Sequence, residues 1–129
     1  MTSAVLDASA LLALLRGEPG GQVVRPFLVD AAMSALNWAE VVGYYARSES
    51  SEQDIRAMLD PLPISRIPFD ETMAYIAGMM LPATRTTGLS IGDRACLALG
   101  KHLSVKVLTA DRPWKTLGSA LGIDVELIR

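Results

Sequence analysis

The strongest constraint on this chain is an alternation. Short runs of strand-forming apolar residues recur between longer stretches with helical spacing. Ser3–Asp7 (SAVLD) reads as a buried strand and Ser9–Arg16 (SALLALLR) as the helix after it, broken by Gly17, Pro19, Gly20 and Gly21. Gln22–Ala32 has helical character, but Pro26 inside it leaves its path open. Met33–Leu36 is a strand candidate, Asn37–Ser48 a helix rich in Val and aromatic residues, and Glu52–Leu59 a further helix. Ile64–Phe69 reads as a strand whose Pro68 argues for a sheet edge. Asp70–Ala83 carries Met73, Ile76, Ala77, Met80 and Leu81 on one helical stripe. A helix from Ile91 to His102, a strand Val105–Thr109, a helix Pro113–Leu121 and a strand Asp124–Ile128 complete the series.

Strands joined by helices imply right-handed crossovers, and so a parallel sheet of about four or five strands with helices on both faces. A three-layer α/β domain spanning residues 1–129 is expected. Half of the residues are apolar, which suits a sheet covered on both sides, with apolar surface left for a subunit contact. No segment is long enough to span a membrane. The apolar start, Ala4–Leu15, contains Asp7 and follows no basic residue, so it does not read as a signal peptide. The single cysteine, Cys96, lies among small apolar residues and reads as a buried thiol, in keeping with a cytoplasmic setting. With a net charge of −2, a uniformly basic surface is excluded. A nucleic-acid partner would have to be held by a local basic rim or by metal ions.

Ligands of such sheets bind at the carboxyl ends of strands, where the strand order reverses. Four acids fall at strand ends or in first helical turns: Asp7, Glu40, Asp93 and Asp111. Each has a local explanation. Asn37-x-x-Glu40 and Ser90-x-x-Asp93 approximate capping boxes, Asp7 can cap the helix opening at Ser9, and Asp111 can cap the helix that starts near Pro113. Asp70 occupies the same kind of position beside an edge strand and reads as a plain cap. Spacing alone does not show that the four converge.

The segments VLDASALLALL (Val5–Leu15), SALNWAEV (Ser34–Val41), LSIGDRACLALG (Leu89–Gly100) and VLTADRPW (Val107–Trp114) change that balance. In order, spacing and total length they resemble the PIN-domain ribonucleases, and specifically the VapC toxins of toxin–antitoxin pairs. The resemblance covers nearly the whole chain, matching Gln22–Ala32 and Ser48–Ser65 only loosely. It implies a PIN-like domain in which Asp7, Glu40, Asp93 and Asp111 hold Mg²⁺ or Mn²⁺ and single-stranded RNA is cleaved. It also implies a cognate antitoxin and a symmetric homodimer, and it marks Ser9 and Thr109 as residues that orient a ligand or a water.

The chemistry agrees, because hard oxygen ligands suit Mg²⁺ and Mn²⁺. Asp7 and Asp93 are expected as principal ligands, with Asp111 at a second or water-mediated position. Glu40 is expected to bind through water or to help deprotonate the attacking water. Arg94 and Arg112, with Arg16, are candidates for phosphate contacts. His102 reads as a packed residue or a favourable charge at a helix end. Trp38, Tyr44 and Tyr45 read as core or subunit contact more readily than as base-stacking residues.

Two rival readings remain at this level. One is a catalytically silent RNA- or protein-binding module on the same fold. The other is a phosphoacceptor receiver domain, which would need an adjacent acidic pair where this chain has Leu6-Asp7-Ala8.

Overall fold

Along each strand, alternate side chains enter different cores, and this period-two pattern builds a three-layer molecule. The computed structural model describes all 129 residues. In strand β1 (Ala4–Leu6), Ala4 and Leu6 enter one core while Val5 enters the other. Leu108 and Val107 divide in the same way in β4 (Lys106–Thr109), as do Ala31 and Met33 against Ala32 in β2 (Ala31–Ser34). With β3 (Ser65–Ile67) and β5 (Val125–Leu127), these strands form one parallel sheet in the order β3-β2-β1-β4-β5.

One core takes in α1 (Ala8–Arg16), α2 (Gly21–Val24), α3 (Ala35–Ala46) and α4 (Glu52–Leu59). The other takes in α5 (Glu71–Met79), α7 (Ile91–Leu103) and α8 (Trp114–Leu121), while the single turn α6 (Leu81–Thr84) follows α5. Two glycines set the spacing of the second layer. A Cβ on Gly100 would run into the Val107 side chain, and one on Gly118 into Val125, so α7 and α8 lie directly on β4 and β5.

Most of the expected elements are present, β3 is an edge strand as Pro68 suggests, and Cys96 is buried. Several boundaries differ. The second strand is Ala31–Ser34 instead of Met33–Leu36, because the Gln22–Ala32 segment splits into α2, a 3-10 helix Arg25–Asp30 and the first strand residues. Pro26 fits early in that 3-10 helix, where no N–H is needed. Helix α3 consequently starts at Ala35 with Ser34 as its cap, so Asn37 caps nothing. The expected helix Asp70–Ala83 ends at Met79, just ahead of Pro82. Met73, Ala77 and Met80 of its stripe are buried, whereas Leu81 is exposed. His102 is exposed in the last turn of α7, which removes the packed reading.

Candidate active site

From β1 the chain moves outward to β2 and β3, then returns to β4 beside β1 and continues to β5. The order therefore reverses between β1 and β4. Asp7 follows the last residue of β1 at that reversal, and its N–H donates to the Leu108 carbonyl. Both of its carboxylate oxygens are held by hydroxyls. Ser9 Oγ donates to Oδ1 at 2.7 Å, and Thr109 Oγ1 donates to Oδ2 at 2.7 Å across 102 residues of sequence. The same hydroxyls accept the N–H groups of Ala110 and Asp111, each at 3.0 Å, and so stitch the loop after β4 to the start of α1. Ser9 and Thr109 thus orient Asp7 itself. Asp7 also caps α1 by accepting the Ala10 N–H at 2.9 Å. Burial nevertheless pushes its pKa up to about 6. The Thr109, Ser9 and Ala10 hydrogen bonds oppose that shift, and the nearby Asp93 charge adds to it.

Asp93 stands in the first turn of α7 and closes a capping box. Ser90 Oγ accepts the Asp93 N–H at 3.1 Å, and Asp93 Oδ2 accepts the Ser90 N–H at 3.0 Å. The local reading of this residue holds, and the residue still faces Asp7 and Asp111 electrostatically. Asp111 does not cap α8, whose start has no side-chain cap. Its pKa is raised by partial burial and by the Asp93 charge. The indole N–H of Trp114 opposes that rise, although no hydrogen bond of ordinary geometry closes between them. Glu40 projects from the exposed side of α3, where Asn37 Nδ2 donates to its Oε1 at 2.9 Å. The charges of Asp7, Asp93 and Glu40 all reach the buried Cys96 thiol one turn into α7, where burial first and these charges next push its pKa well up.

The structure thus brings the four acids to one end of the sheet, around the first turn of α7. It does not assemble them into a ready cage, since no three acidic side chains converge closely enough to hold an ion as they stand. None of the four forms an ion pair with Lys or Arg. Arg94 is half-buried and donates to the Ala77 carbonyl of α5 at 3.1 Å, whereas Arg112 is exposed. Trp38, Tyr44 and Tyr45 are half-buried; the Arg66 guanidinium lies 4.1 Å from the Trp38 ring centre.

The sequence marks Asn37 only as a helix cap, and its spacing does not show the contacts with Glu40 and Gly92. A useful signal is the distribution of unpaired polar atoms. The chain buries three without partners: Asn37 Oδ1, Arg94 Nε and Trp114 Nε1. Each belongs to a residue that touches or adjoins one of the four acids, and such atoms are uncommon in folded proteins. The largest concavity, about 380 Å³ between α3 and α4 and lined by Trp38, Val42 and Ile55, lies elsewhere. Its lining is mostly apolar and carries none of the four acids, so the switch-point site has the stronger chemical claim.

Uncompensated carboxylates at the switch point of a five-stranded parallel sheet define a class of acid-lined α/β domains. The chain belongs to the PIN domain family, whose model matches residues 4–118. This removes the receiver-domain reading. Among solved structures, the DNA-bound VapBC complex from Salmonella typhimurium matches with a TM-score of 0.73 at 13% identity, covering 100% of both chains. FitAcB from Neisseria gonorrhoeae matches with a TM-score of 0.63 at 25% identity, covering 95% of each chain. A toxin–antitoxin complex from Klebsiella pneumoniae matches at 0.69 and 22%, over 84% of this chain and 87% of the other. No curated protein matches the sequence. No helix is long and apolar enough to cross a membrane.

Proposed function

We propose that this chain is a divalent-metal-dependent endoribonuclease that cleaves single-stranded RNA as the toxin of a toxin–antitoxin pair. The observation that carries this reading is that Asp7, Glu40, Asp93 and Asp111 all stand at the switch-point end of the sheet without any basic partner. Asp93 repels both Asp7 and Asp111, and with Glu40 close by the oxygen donors suit a hard cation in charge and donor type. When bound, Mg²⁺ or Mn²⁺ supplies a more acidic water and neutralises charge on the phosphate oxygens.

The chain's own residues have separable tasks in this scheme. Asp7, locked by Ser9 and Thr109, offers an oriented ligand at the centre. Asp93 faces it from α7, and Asp111 faces Asp93 from the loop after β4. Glu40, at the exposed mouth, holds the ion through a water or accepts the proton of the attacking water. Arg112 is free at the rim to meet a phosphate. Arg94 is committed to α5 and would have to leave Ala77 to do so.

The relatives are toxin–antitoxin complexes, and they support a cognate antitoxin for this chain. Such a partner is expected to cover the acidic mouth and place a basic side chain among the carboxylates, supplying the missing counter-charge. A symmetric homodimer fits the outer face of α5, where Tyr75 is 70% and Met79 is 76% exposed. Light scattering at micromolar concentration should give the dimer mass, and monomer alone would refute it.

The deciding experiment is cleavage of single-stranded RNA by the purified protein. Cleavage should require Mg²⁺ or Mn²⁺, stop with a chelator, and stop when the cognate antitoxin is added. Cleavage that survives chelation would sink the metal mechanism. RNA binding without cleavage would favour a silent module.

A further inference from the structure

Asn37 lies in the first turn of α3 and is 1% exposed, yet Ser34 already caps that helix. Its amide works across the molecule instead. Besides Glu40 Oε1, Nδ2 donates to the Gly92 carbonyl at 3.0 Å, 55 residues away in sequence. Both partners are acceptors, so the amide orientation is determined. A flipped side chain would set Oδ1 against a carboxylate and a carbonyl. Oδ1 is left buried without a donor. Both donors of the amide are spent on tying the Glu40 carboxylate to the first turn of α7.

Gly92 bounds the same carboxylate from the other side. A Cβ there would lie 2.7 Å from Glu40 Oε2 and 3.1 Å from its Cδ. Only glycine lets the head group rest directly on the first turn of α7, beside Asp93. Glu40 is otherwise an exposed side chain on a flexible stem, and without these two residues it would sample solvent.

We infer that Asn37 and Gly92 form a seat that fixes the Glu40 carboxylate over the first turn of α7, with Asn37 acting as a positioning residue for the metal centre. The inference rests on the proposed role of Glu40 in that centre.

The test is a double-mutant cycle on the full chain, read by Mn²⁺ calorimetry and by metal-dependent RNA cleavage. The proteins are wild type, Asn37→Ala, Glu40→Ala and the double variant. Asn37→Ala should lower Mn²⁺ affinity and cleavage about tenfold, as the loss of a partner that orients a metal ligand does. In the Glu40→Ala background it should change neither, because no carboxylate is left to seat. The same loss in both backgrounds, or none in the single variant, overturns the seat. So does wild-type behaviour of Glu40→Ala.

If Asn37→Ala fails to fold, Gly92→Ala replaces it in the cycle. It displaces Glu40 while removing no hydrogen bond of its own, and it should show the same dependence on Glu40; independence overturns the inference. A wild-type chain that binds no Mn²⁺ and cleaves no RNA defeats the metal-centre reading and the seat together. An active wild type with an unaltered Asn37→Ala removes the seat alone.

Discussion

Two corners of the molecule share one local design and differ in everything around it. At the β1–α1 corner, Asp7 follows a strand and accepts the N–H of Ala10, three residues on. At the β3–α5 corner, Asp70 lies shortly after a strand and accepts the N–H of Met73, again three residues on. Asp70 is exposed beside an edge strand. Asp7 is only 6% exposed between two central strands, faces a second carboxylate, and has its pKa raised to about 6. Cap geometry therefore does not separate the two corners; position in the sheet does, through burial and a facing carboxylate.

Replacing each aspartate by asparagine tests the comparison, because asparagine caps a helix about as well and removes the charge. The largest difference is expected in RNA cleavage. Asp7→Asn should lose more than about a hundredfold, the upper range for partners one step further from a metal, while Asp70→Asn should retain wild-type rates. Equal rates for the two variants would erase the distinction.

Stability of the metal-free protein should move the other way. The gap between about 6 in the folded state and the ordinary 3.8 of Asp7 corresponds to a penalty on the order of 3 kcal/mol at neutral pH. Between those pH values the folded state binds more protons than the unfolded one. Stability therefore falls as pH rises from about 4 to 6, and the full penalty applies above 6. In chelator at pH 7.5, Asp7→Asn should melt several degrees above wild type and lose this pH dependence. Added Mn²⁺ should raise the wild-type melting temperature more than that of Asp7→Asn, through binding to the native state. Asp70→Asn should shift by no more than the lost charge–dipole interaction, about 0.3–1 kcal/mol, and should respond to Mn²⁺ as wild type does.

The smallest effect isolates the shared cap. Asp70→Ala should cost about 1 kcal/mol in thermal or denaturant unfolding, with cleavage intact. A much larger cost would mean that the edge corner does more than cap a helix.

The residues by themselves specified the alternation of strands and helices, the capping of α1, α5 and α7, and the edge position of β3 marked by Pro68. These are short-range matters, settled by spacing and by hydrogen bonds three residues long. The four acids were also legible as a set, though through family resemblance and not through spacing, since each of the four had a local explanation and the structure retains it for Asp7 and Asp93 only. Only the tertiary structure decided what surrounds them. A two-residue shift of β2 freed Asn37 from capping and let it reach Gly92. The packing of α5 against α7 turned Arg94 from a free cation into a partner of Ala77. The return of β4 beside β1 brought Thr109 onto Asp7. Each of these depends on a pairing across 17 to 102 residues, and no local periodicity encodes such a pairing, because it exists only once the sheet order has placed the two segments side by side.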